Sequence, residues 1–193
     1  DGPNVLSYVD VLRHGAEVGD RVAIIGAGGI GFDVAEFLTH QEPEGDALEA
    51  FLDEWGVDKA QSSRGGLKPV QTPPPKRHVF LCQRSDGKLG AKLGKTTGWI
   101  HRASLKHRAV EMLAEVQYQR VDAQGLHVTV AGQPRVLEVD HVVVCAGQVK
   151  QDTLVAPLQA RGQTVFTIGG AERAGELDAK RAIDQGTRVA AQL

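Results

Sequence analysis

Three glycines near the start of the chain, Gly26, Gly28 and Gly31, have the spacing of a turn that binds a dinucleotide. They follow a short β-branched run and open an amphipathic segment, in the stretch VAIIGAGGIGFDVAEFL, which predicts a strand, a tight turn and a helix. Gly26 permits the turn, Gly28 lets a pyrophosphate approach the backbone, and Gly31 lets the helix pack closely on the strand. The helix N-terminus offers N–H groups to that anion. We therefore predict a dinucleotide site that also includes Gly29.

The end of the next strand decides which nucleotide such a turn binds. In NAD enzymes an acidic side chain at this place accepts hydrogen bonds from the ribose. Here an acidic helical patch followed by a glycine- and proline-rich stretch predicts a surface insertion at 41–76, and the strand after it, RHVFLCQR, ends in Arg84. A guanidinium suits a phosphate monoester, whereas an acid would repel one. The sequence therefore predicts NADPH, with Arg84 as the anchor of the 2′-phosphate and Lys88 as a second charge.

A broader run of positive charge surrounds these two residues, and it leaves alternatives open. Only Asp86 opposes the basic residues of this run, which are Arg84, Lys88, Lys92, Lys95, Arg102, Lys106 and Arg108. Such a run is also typical of a solvated basic face, or of a site for CoA or a nucleic acid. Trp99, within the run, is expected either to pack on the nucleotide or to pack in the core at the start of a helix.

Composition narrows the class of protein. The chain has 193 residues, of which 41% are hydrophobic and 24% charged, and its pI is about 6.4. These values do not indicate a nucleic-acid or membrane partner. The first residues, DGPNVLSY, lack the basic and apolar regions of a signal peptide. The two cysteines, Cys82 and Cys145, each lie in an apolar run, and no histidine has metal-ligand spacing. We therefore expect a cytoplasmic protein with reduced, structural thiols and no metal site.

The pattern of elements predicts an α/β fold. Apolar runs at 21–26, 77–84, 141–147 and 164–170 read as buried strands, and amphipathic segments between them read as helices. The short alternating runs EVQYQRVD, GLHVTV and PRVLEVD predict an antiparallel meander. Together they indicate a Rossmann-like parallel sheet with the meander on one crossover. Ile30, Val34, Phe37 and Leu38 have helical spacing, which predicts a helix packed on the first strand, and Trp99, Ile100, Leu105 and Met112 form a broadly helical pattern.

The C-terminal segment TVFTIGG and the amphipathic helix after it predict a second nucleotide-facing strand–helix pair. The first glycine turn already supplies one phosphate site, and no second G-x-G-x-x-G occurs in the sequence. In flavoproteins that bind two dinucleotides, such a pair closes the FAD domain. The alternative is that the pair only completes the first sheet.

Three stretches resemble one family. GKTTGWIHRASL (94–105), the glycine turn and ELDAKRAIDQGTR (176–188) together resemble the C-terminal part of bacterial 2,4-dienoyl-CoA reductases, NADPH-dependent flavoenzymes related to trimethylamine dehydrogenase and old yellow enzyme. The resemblance covers nearly the whole chain, including VLSYVDVL before the first strand and FLDEWGVD in the insertion.

The resemblance implies an architecture. A barrel with FMN, a four-iron (4Fe-4S) cluster and the acyl-CoA site would precede Asp1, and the cluster cysteines and proton-donating tyrosine and histidine would belong to it. An NADPH domain of the glutathione-reductase type, 15–147 with the insertion at 41–76, would be inserted into an FAD domain, of which 1–14 forms a linker and edge and 148–193 the C-terminal part.

The resemblance also assigns residues. Arg84 and Lys88 match positions facing the adenosine phosphate, and Trp99 matches a residue lining the NADP site. The segment touching FAD is matched by Gly170, Leu177, Asp178 and Ala179. Since Gly169-Gly170 stands where Gly-Asp is commoner, contact there would come from backbone or from a helix N-terminus.

The sequence thus predicts an electron-entry module in which NADPH reduces FAD on the way to an unsaturated acyl-CoA. Orientation and exclusion of water carry such a hydride transfer, so we expect no catalytic side chain in the chain. The alternatives are a nucleotide-binding module without electron transfer and the pyridine-nucleotide domain of another NAD(P)H:flavin oxidoreductase. A disulfide reductase is not expected, since Cys82 and Cys145 lack the close spacing of a redox pair.

Overall fold

The chain folds into two compact units, of which the first ends at Ala146 and the second is Gly147–Leu193. The structure is a computed structural model that describes residues 2–43, 45–175 and 177–193. The assignment of 1–14 to the edge of an FAD domain stays a prediction, although Val5–Ser7 pairs with a strand of the first unit.

A parallel sheet of five strands forms the centre of the first unit, and it confirms the predicted Rossmann-like α/β fold with its antiparallel meander. The strands pair in the order β1-β8-β2-β3-β4, each parallel to its neighbour. Apolar β-branched runs form them because both faces are covered. Their bounds are β1 Val5–Ser7, β2 Arg21–Ile25, β3 His78–Cys82, β4 Glu111–Leu113 and β8 His141–Val144.

Helices cover one face of this sheet. They are α1 (Tyr8–Leu12), α2 (Gly29–Thr39) and α4 (Gly98–His107). Their apolar side chains form a single core with alternate residues of the strands, in which Leu38 and Leu105 are fully buried. The glycine turn joins β2 to α2, so the core fixes the direction in which the N-terminus of α2 points.

The predicted meander covers the other face. Strands β5 (Val116–Asp122), β6 (Gly125–Val130) and β7 (Gln133–Leu137) form an antiparallel sheet of three strands. Their inward side chains share a second core with Ala23 and Cys82 of the parallel sheet. The first unit therefore has three layers: helices, parallel sheet and meander.

The predicted insertion carries one helix of its own, α3 (Ala47–Glu54), and a 3-10 turn at Arg64–Gly66. Asp46 caps α3 by accepting hydrogen bonds from two backbone N–H groups of its first turn. Trp55 lies against the ring of His107 at the end of α4, with ring centroids 5.6 Å apart. The insertion is therefore attached to the core helices through its own aromatic and charged side chains.

Among the apolar residues at helical spacing, Phe37, Trp99 and Ile100 are exposed, and Met112 packs against the core from a strand. Phe37 is 55% exposed, since it lies beside the core-facing stripe that contains Val34 and Leu38. Met112 lies in β4 rather than in a helix, because Ala109 takes a left-handed conformation (φ 54°) after α4 ends. Trp99 is also exposed, which removes the prediction that it packs in the core.

The second unit contains α5 (Val155–Ala160), α6 (Gly169–Glu172) and the long helix α7 (Ala179–Ala190). The strand predicted at 164–170 is not formed. A strand needs a neighbour to complete its hydrogen bonds, and the part of this unit that the structure describes contains none. The predicted C-terminal helix is confirmed, and it packs its Ala182 and Gly186 against Gly169 and Ile168.

The adjacent residues Phe37 and Leu38 test this core. We expect Leu38→Ala to lower the free energy of unfolding by about 2–5 kcal/mol, because the side chain is 1% exposed. Phe37→Ala is expected to change it by less than about 1 kcal/mol, since half of that side chain is already in water. Denaturant unfolding of both variants measures the difference, and equal losses would contradict the packing described.

Candidate nucleotide-binding site

Gly26 ends β2 in a conformation that other residues adopt only with strain. Its φ is 110°, and its N–H donates to the carbonyl of Cys82 at 2.9 Å. A Cβ at this position would lie 2.9 Å from the carbonyl carbon of Cys145, at the end of β8. The residue is therefore a glycine for two reasons, the turn and the close approach of the neighbouring strand.

Gly31 brings α2 against this turn. The residue is buried, and a Cβ there would overlap the carbonyl oxygen of Gly26. The helix can therefore pack directly on the turn only because Gly31 has no side chain. This is the role that the sequence assigned to it.

Gly28 and Gly29 face open space. Both are exposed, and a Cβ on either would meet no atom within 4 Å. Gly28 is the N-cap of α2 in an extended conformation, and it has no side chain that could cap the first turn. The N–H groups at the start of α2 are thus accessible to an anion, as a pyrophosphate site requires.

The turn lies at the position in the sheet where such folds bind their ligands. Because β2 pairs in parallel with both β3 and β8, their carboxyl ends meet at one edge. The chain moves from β2 through β3 to β4 in one direction and then places β8 on the other side of β2. The glycine turn is therefore at the topological switch point.

Gln83 shapes the loop after β3, a role that the sequence did not reveal. Its backbone N–H donates to the carbonyl of Leu113 at 2.9 Å. Its side-chain Nε2 lies 3.1–3.2 Å from the carbonyl oxygens of Ser85, Asp86 and Gly87. One amide thus folds the loop that holds the two predicted phosphate ligands.

Arg84 and Lys88 both project from this loop with exposed side chains. Within residues 2–43, 45–175 and 177–193, neither side chain forms an ion pair with a carboxylate. Two uncompensated cations therefore stand close along the chain to the carboxyl edge of the sheet. This arrangement fits a phosphate monoester, although the binding itself stays a prediction.

The structure brings Lys88 and Trp99 together in a cavity of about 630 Å³ beside α4. Arg102 and Lys106 also line this cavity, and Arg84 does not. Trp99 is 58% exposed, so its indole is accessible to a ligand. We call this space the α4 cavity. Lys106 belongs to the basic run identified in the sequence, although it was not predicted as a ligand of the nucleotide, and its helical spacing from Arg102 places both on this side of α4.

The loop on one side of the α4 cavity is held to both helices. Arg102 donates from Nη1 to the carbonyl of Gly90 at 3.0 Å. Gly90 has a φ of 69°, and a Cβ there would lie 2.7 Å from the ring of Phe32. Since Phe32 follows the glycine turn on α2, the same helix positions the turn and the loop of Lys88.

In the second unit, the four residues predicted to touch FAD meet at the start of α7. A Cβ on Gly170 would lie 3.0 Å from a methyl group of Leu177. Asp178 caps the helix by accepting from the N–H of Lys180 at 2.9 Å, and Ala179 is the first helical residue. The segment is therefore assembled as one surface, and its contact with a flavin stays a prediction.

The two cysteines are not a redox pair. Cys82 lies in the core shared with the meander, whereas Cys145 lies in the core shared with the helices. Both are buried and free, and burial raises the pKa of each thiol to about 12. Both are therefore structural residues, as the sequence predicted.

The fold and the turn together define a Rossmann-type dinucleotide-binding domain. The family model of the pyridine nucleotide-disulphide oxidoreductases matches residues 5–176. The chain therefore belongs to this family, whose members bind FAD and NAD(P)H in oxidoreductases. Its general role is thus in redox chemistry between a nicotinamide nucleotide and a flavin.

Three proteins that are similar to this chain are much longer than it is. A metal reductase from Desulforamulus reducens is 25% identical over 171 residues, which are 89% of this chain and 25% of the relative. A 2-naphthoyl-CoA reductase in complex with 2-naphthoyl-CoA matches 96% of this chain and 23% of its own, with a TM-score of 0.66 and 20% identity. Histamine dehydrogenase from Rhizobium sp. 4-9 matches 100% of this chain and 26% of its own, with a TM-score of 0.65 and 16% identity. The chain spans about a quarter of the length of these proteins.

Two further features bear on the expectations from composition. Among the described residues, no helix is long and apolar enough to cross a bilayer. In the same part of the chain, no group of three or more His, Cys, Asp or Glu side chains is arranged to hold a metal ion.

Thiol reactivity tests the structural role of the cysteines. With a pKa near 12, only about one thiol in ten thousand is ionised at pH 8, and both sulfurs are buried. We expect the folded chain to react with an aromatic disulfide reagent only slowly at pH 8. After denaturation, two thiols should react rapidly. Fast reaction of either thiol in the folded chain would contradict the burial.

Proposed function

We propose that the chain binds NADPH at the glycine turn and passes its hydride to FAD, as the C-terminal part of a 2,4-dienoyl-CoA reductase-like flavoenzyme. The observation that carries the proposal is the open first turn of α2, at Gly28 and Gly29. Beside it lies a loop with two exposed cations, Arg84 and Lys88, that form no ion pair among the described residues. Membership in a family that binds FAD and NAD(P)H supports it.

Each part of the site has one task in this proposal. The N–H groups at the start of α2 hold the pyrophosphate, because they are accessible and the helix dipole favours an anion there. Arg84 and Lys88 hold the 2′-phosphate, which distinguishes NADPH from NADH. The exposed indole of Trp99 packs on the nucleotide in the α4 cavity.

The protein contributes binding and orientation to the reaction. Bound NADPH supplies a hydride, and the flavin N5 atom accepts it. No side chain of this chain needs to take or give a proton in that step, and the buried thiols of Cys82 and Cys145 have no part in it. The site therefore acts by holding the nucleotide in position and away from water.

The electron acceptor beyond FAD would lie in a part of the polypeptide outside this sequence. We propose a barrel with FMN and a 4Fe-4S cluster as the partner, on the resemblance of the stretch 94–105 to dienoyl-CoA reductases. The structural neighbour that binds 2-naphthoyl-CoA supports an acyl-CoA as the substrate class. The names of the metal reductase and histamine dehydrogenase indicate other substrates. The proposal therefore rests on the nucleotide site, and the acyl-CoA substrate is a second proposal that requires the first.

A second candidate function is a nucleotide-binding module without electron transfer of its own. The segment at 164–168, which forms no strand in the described part of the second unit, favours it. The two functions differ in flavin chemistry. When FAD and NADPH are added without oxygen, the first predicts loss of the visible flavin absorbance, and the second predicts nucleotide binding without that loss.

Nucleotide titrations of charge variants test the proposal. Arg84→Ala should lower the affinity for NADPH by about tenfold or more, because a charge-assisted hydrogen bond to the 2′-phosphate is lost. Lys88→Ala should also lower the affinity for NADPH. Neither change should alter the affinity for NADH, which lacks this phosphate.

The matched control is Lys92→Ala, which removes an exposed positive charge further along the same segment. Its NADPH affinity should stay close to that of the unchanged chain. Equal affinity of the unchanged chain for NADPH and NADH, or equal loss of both in Arg84→Ala, would remove the phosphate assignment.

A further inference from the structure

The insertion and the two long core helices of the first unit enclose a second cavity, of about 470 Å³. It lies at the C-terminal half of α2, where α3 and the prolines of the insertion face α4. We call it the insertion cavity. The side chains that matter for its chemistry are Glu36, Phe51, Glu54, Trp55, Ser104 and Arg108.

The insertion cavity is distinct from the nucleotide site. Helix α4 separates it from the α4 cavity, since Arg102 and Lys106 line one side and Ser104 and Arg108 line the other. On α2, Glu36 lies about 10 Å along the helix axis from the glycine turn, at the rise of an α-helix. Any ligand of this cavity would therefore be additional to the dinucleotide.

The fixed charges of the cavity favour a cation. Arg108 Nη2 lies 3.4 Å from Glu54, and Nη1 lies 3.8 Å from Glu36, so one guanidinium faces two carboxylates. Glu36 is also 3.7 Å from His101, and its side chain is 40% exposed. With the histidines neutral, one carboxylate is in excess, and Glu36 is the one that a ligand can reach. Arg108 already has two acidic partners, which disfavours an anionic ligand.

The hydroxyl of Ser104 adds a polar contact. Ser104 lines the cavity and is 5% exposed, yet across the described ranges its side chain has no hydrogen-bond partner. Thr39, which also lines the cavity, donates to the carbonyl of Ala35 at 2.7 Å. Because Ser104 lines the cavity and its hydroxyl is not used by another described residue, the oxygen is available to accept a hydrogen bond from a ligand.

Aromatic rings form the remaining wall. The rings of Phe51 and Trp55 have centroids 6.4 Å apart and planes tilted by 44°. Phe51 is 55% exposed, so its ring is accessible to a ligand in the cavity. Aromatic faces beside a carboxylate attract organic cations, because the ring quadrupole and the negative charge act together.

We propose that the insertion cavity binds a small hydrophobic amine in its protonated form. Its ammonium group would interact with Glu36 and the hydroxyl of Ser104, and its apolar body would lie against Phe51 and Trp55. The cavity volume is within the range of small-molecule sites. This site is independent of the proposed NADPH function.

Fluorescence of the Trp99→Phe variant tests the proposal, because Trp55 is then the single tryptophan of the chain. Three probes of similar size are titrated at pH 7: 2-phenylethylamine, which is a cation, 2-phenylethanol, which is neutral, and phenylacetate, which is an anion. We expect saturable binding of the amine, with at least about tenfold weaker binding of the other two.

Glu36→Gln in the same background should lower the affinity for 2-phenylethylamine by about tenfold and leave the affinity for 2-phenylethanol unchanged. The matched control is Asp33→Asn, which removes an exposed carboxylate from the same helix outside the cavity. Absence of binding, equal affinity for the three probes, tighter binding of phenylacetate, or equal effects of the two substitutions would each overturn the proposal. If Glu36→Gln did not fold, the comparison of probes alone would decide.

Discussion

The contact between Gly31 of α2 and the carbonyl of Gly26 at the end of β2 is the constraint on which the rest of the first unit depends. Because no side chain separates them, the helix starts directly at the turn and its N-terminus opens at the carboxyl edge of the sheet. The same packing places Phe32 against Gly90, which positions the loop of Lys88. One close approach therefore positions both the open N-terminus of α2, where we propose that the pyrophosphate binds, and the loop that carries Lys88.

Helix α4 separates the two cavities of the first unit, which differ in charge. Leu105 anchors it in the core, fully buried, while its two other faces line separate cavities. One face is basic and carries an exposed indole, which suits a phosphorylated nucleoside. The other lies opposite the acidic and aromatic side chains of the insertion, which suits an organic cation. The insertion thus gives a widespread nucleotide-binding fold a surface that the fold itself does not need.

The sequence predicts local features well, and the structure shows where local patterns stop being informative. The glycine turn, the central strands and the meander follow from short-range periodicity and from the conformational freedom of glycine. Phe37 was mispredicted because helical spacing does not show which residues lie at the boundary of the buried face. Met112 was mispredicted because the pattern does not indicate that α4 ends before the left-handed Ala109. The segment at 164–168 has the composition of a strand, but the described part of the second unit contains no strand with which it could pair. Arg108 pairs with Glu36 and Glu54, which are distant in sequence, so the basic run that contains it could not indicate these partners. Gln83 contacts three carbonyls of its own loop, but glutamine has no sequence signature for that role.

Backbone amide chemical shifts recorded during titration with NADPH measure whether the glycine turn binds the nucleotide. We expect the largest changes at Gly28 and Gly29 and at the N–H groups that follow in the first turn of α2. The amides of the loop around Lys88 should shift with NADPH and much less with NADH. Absence of any change at Gly28 and Gly29, with changes confined to α7 or to the insertion, would contradict it.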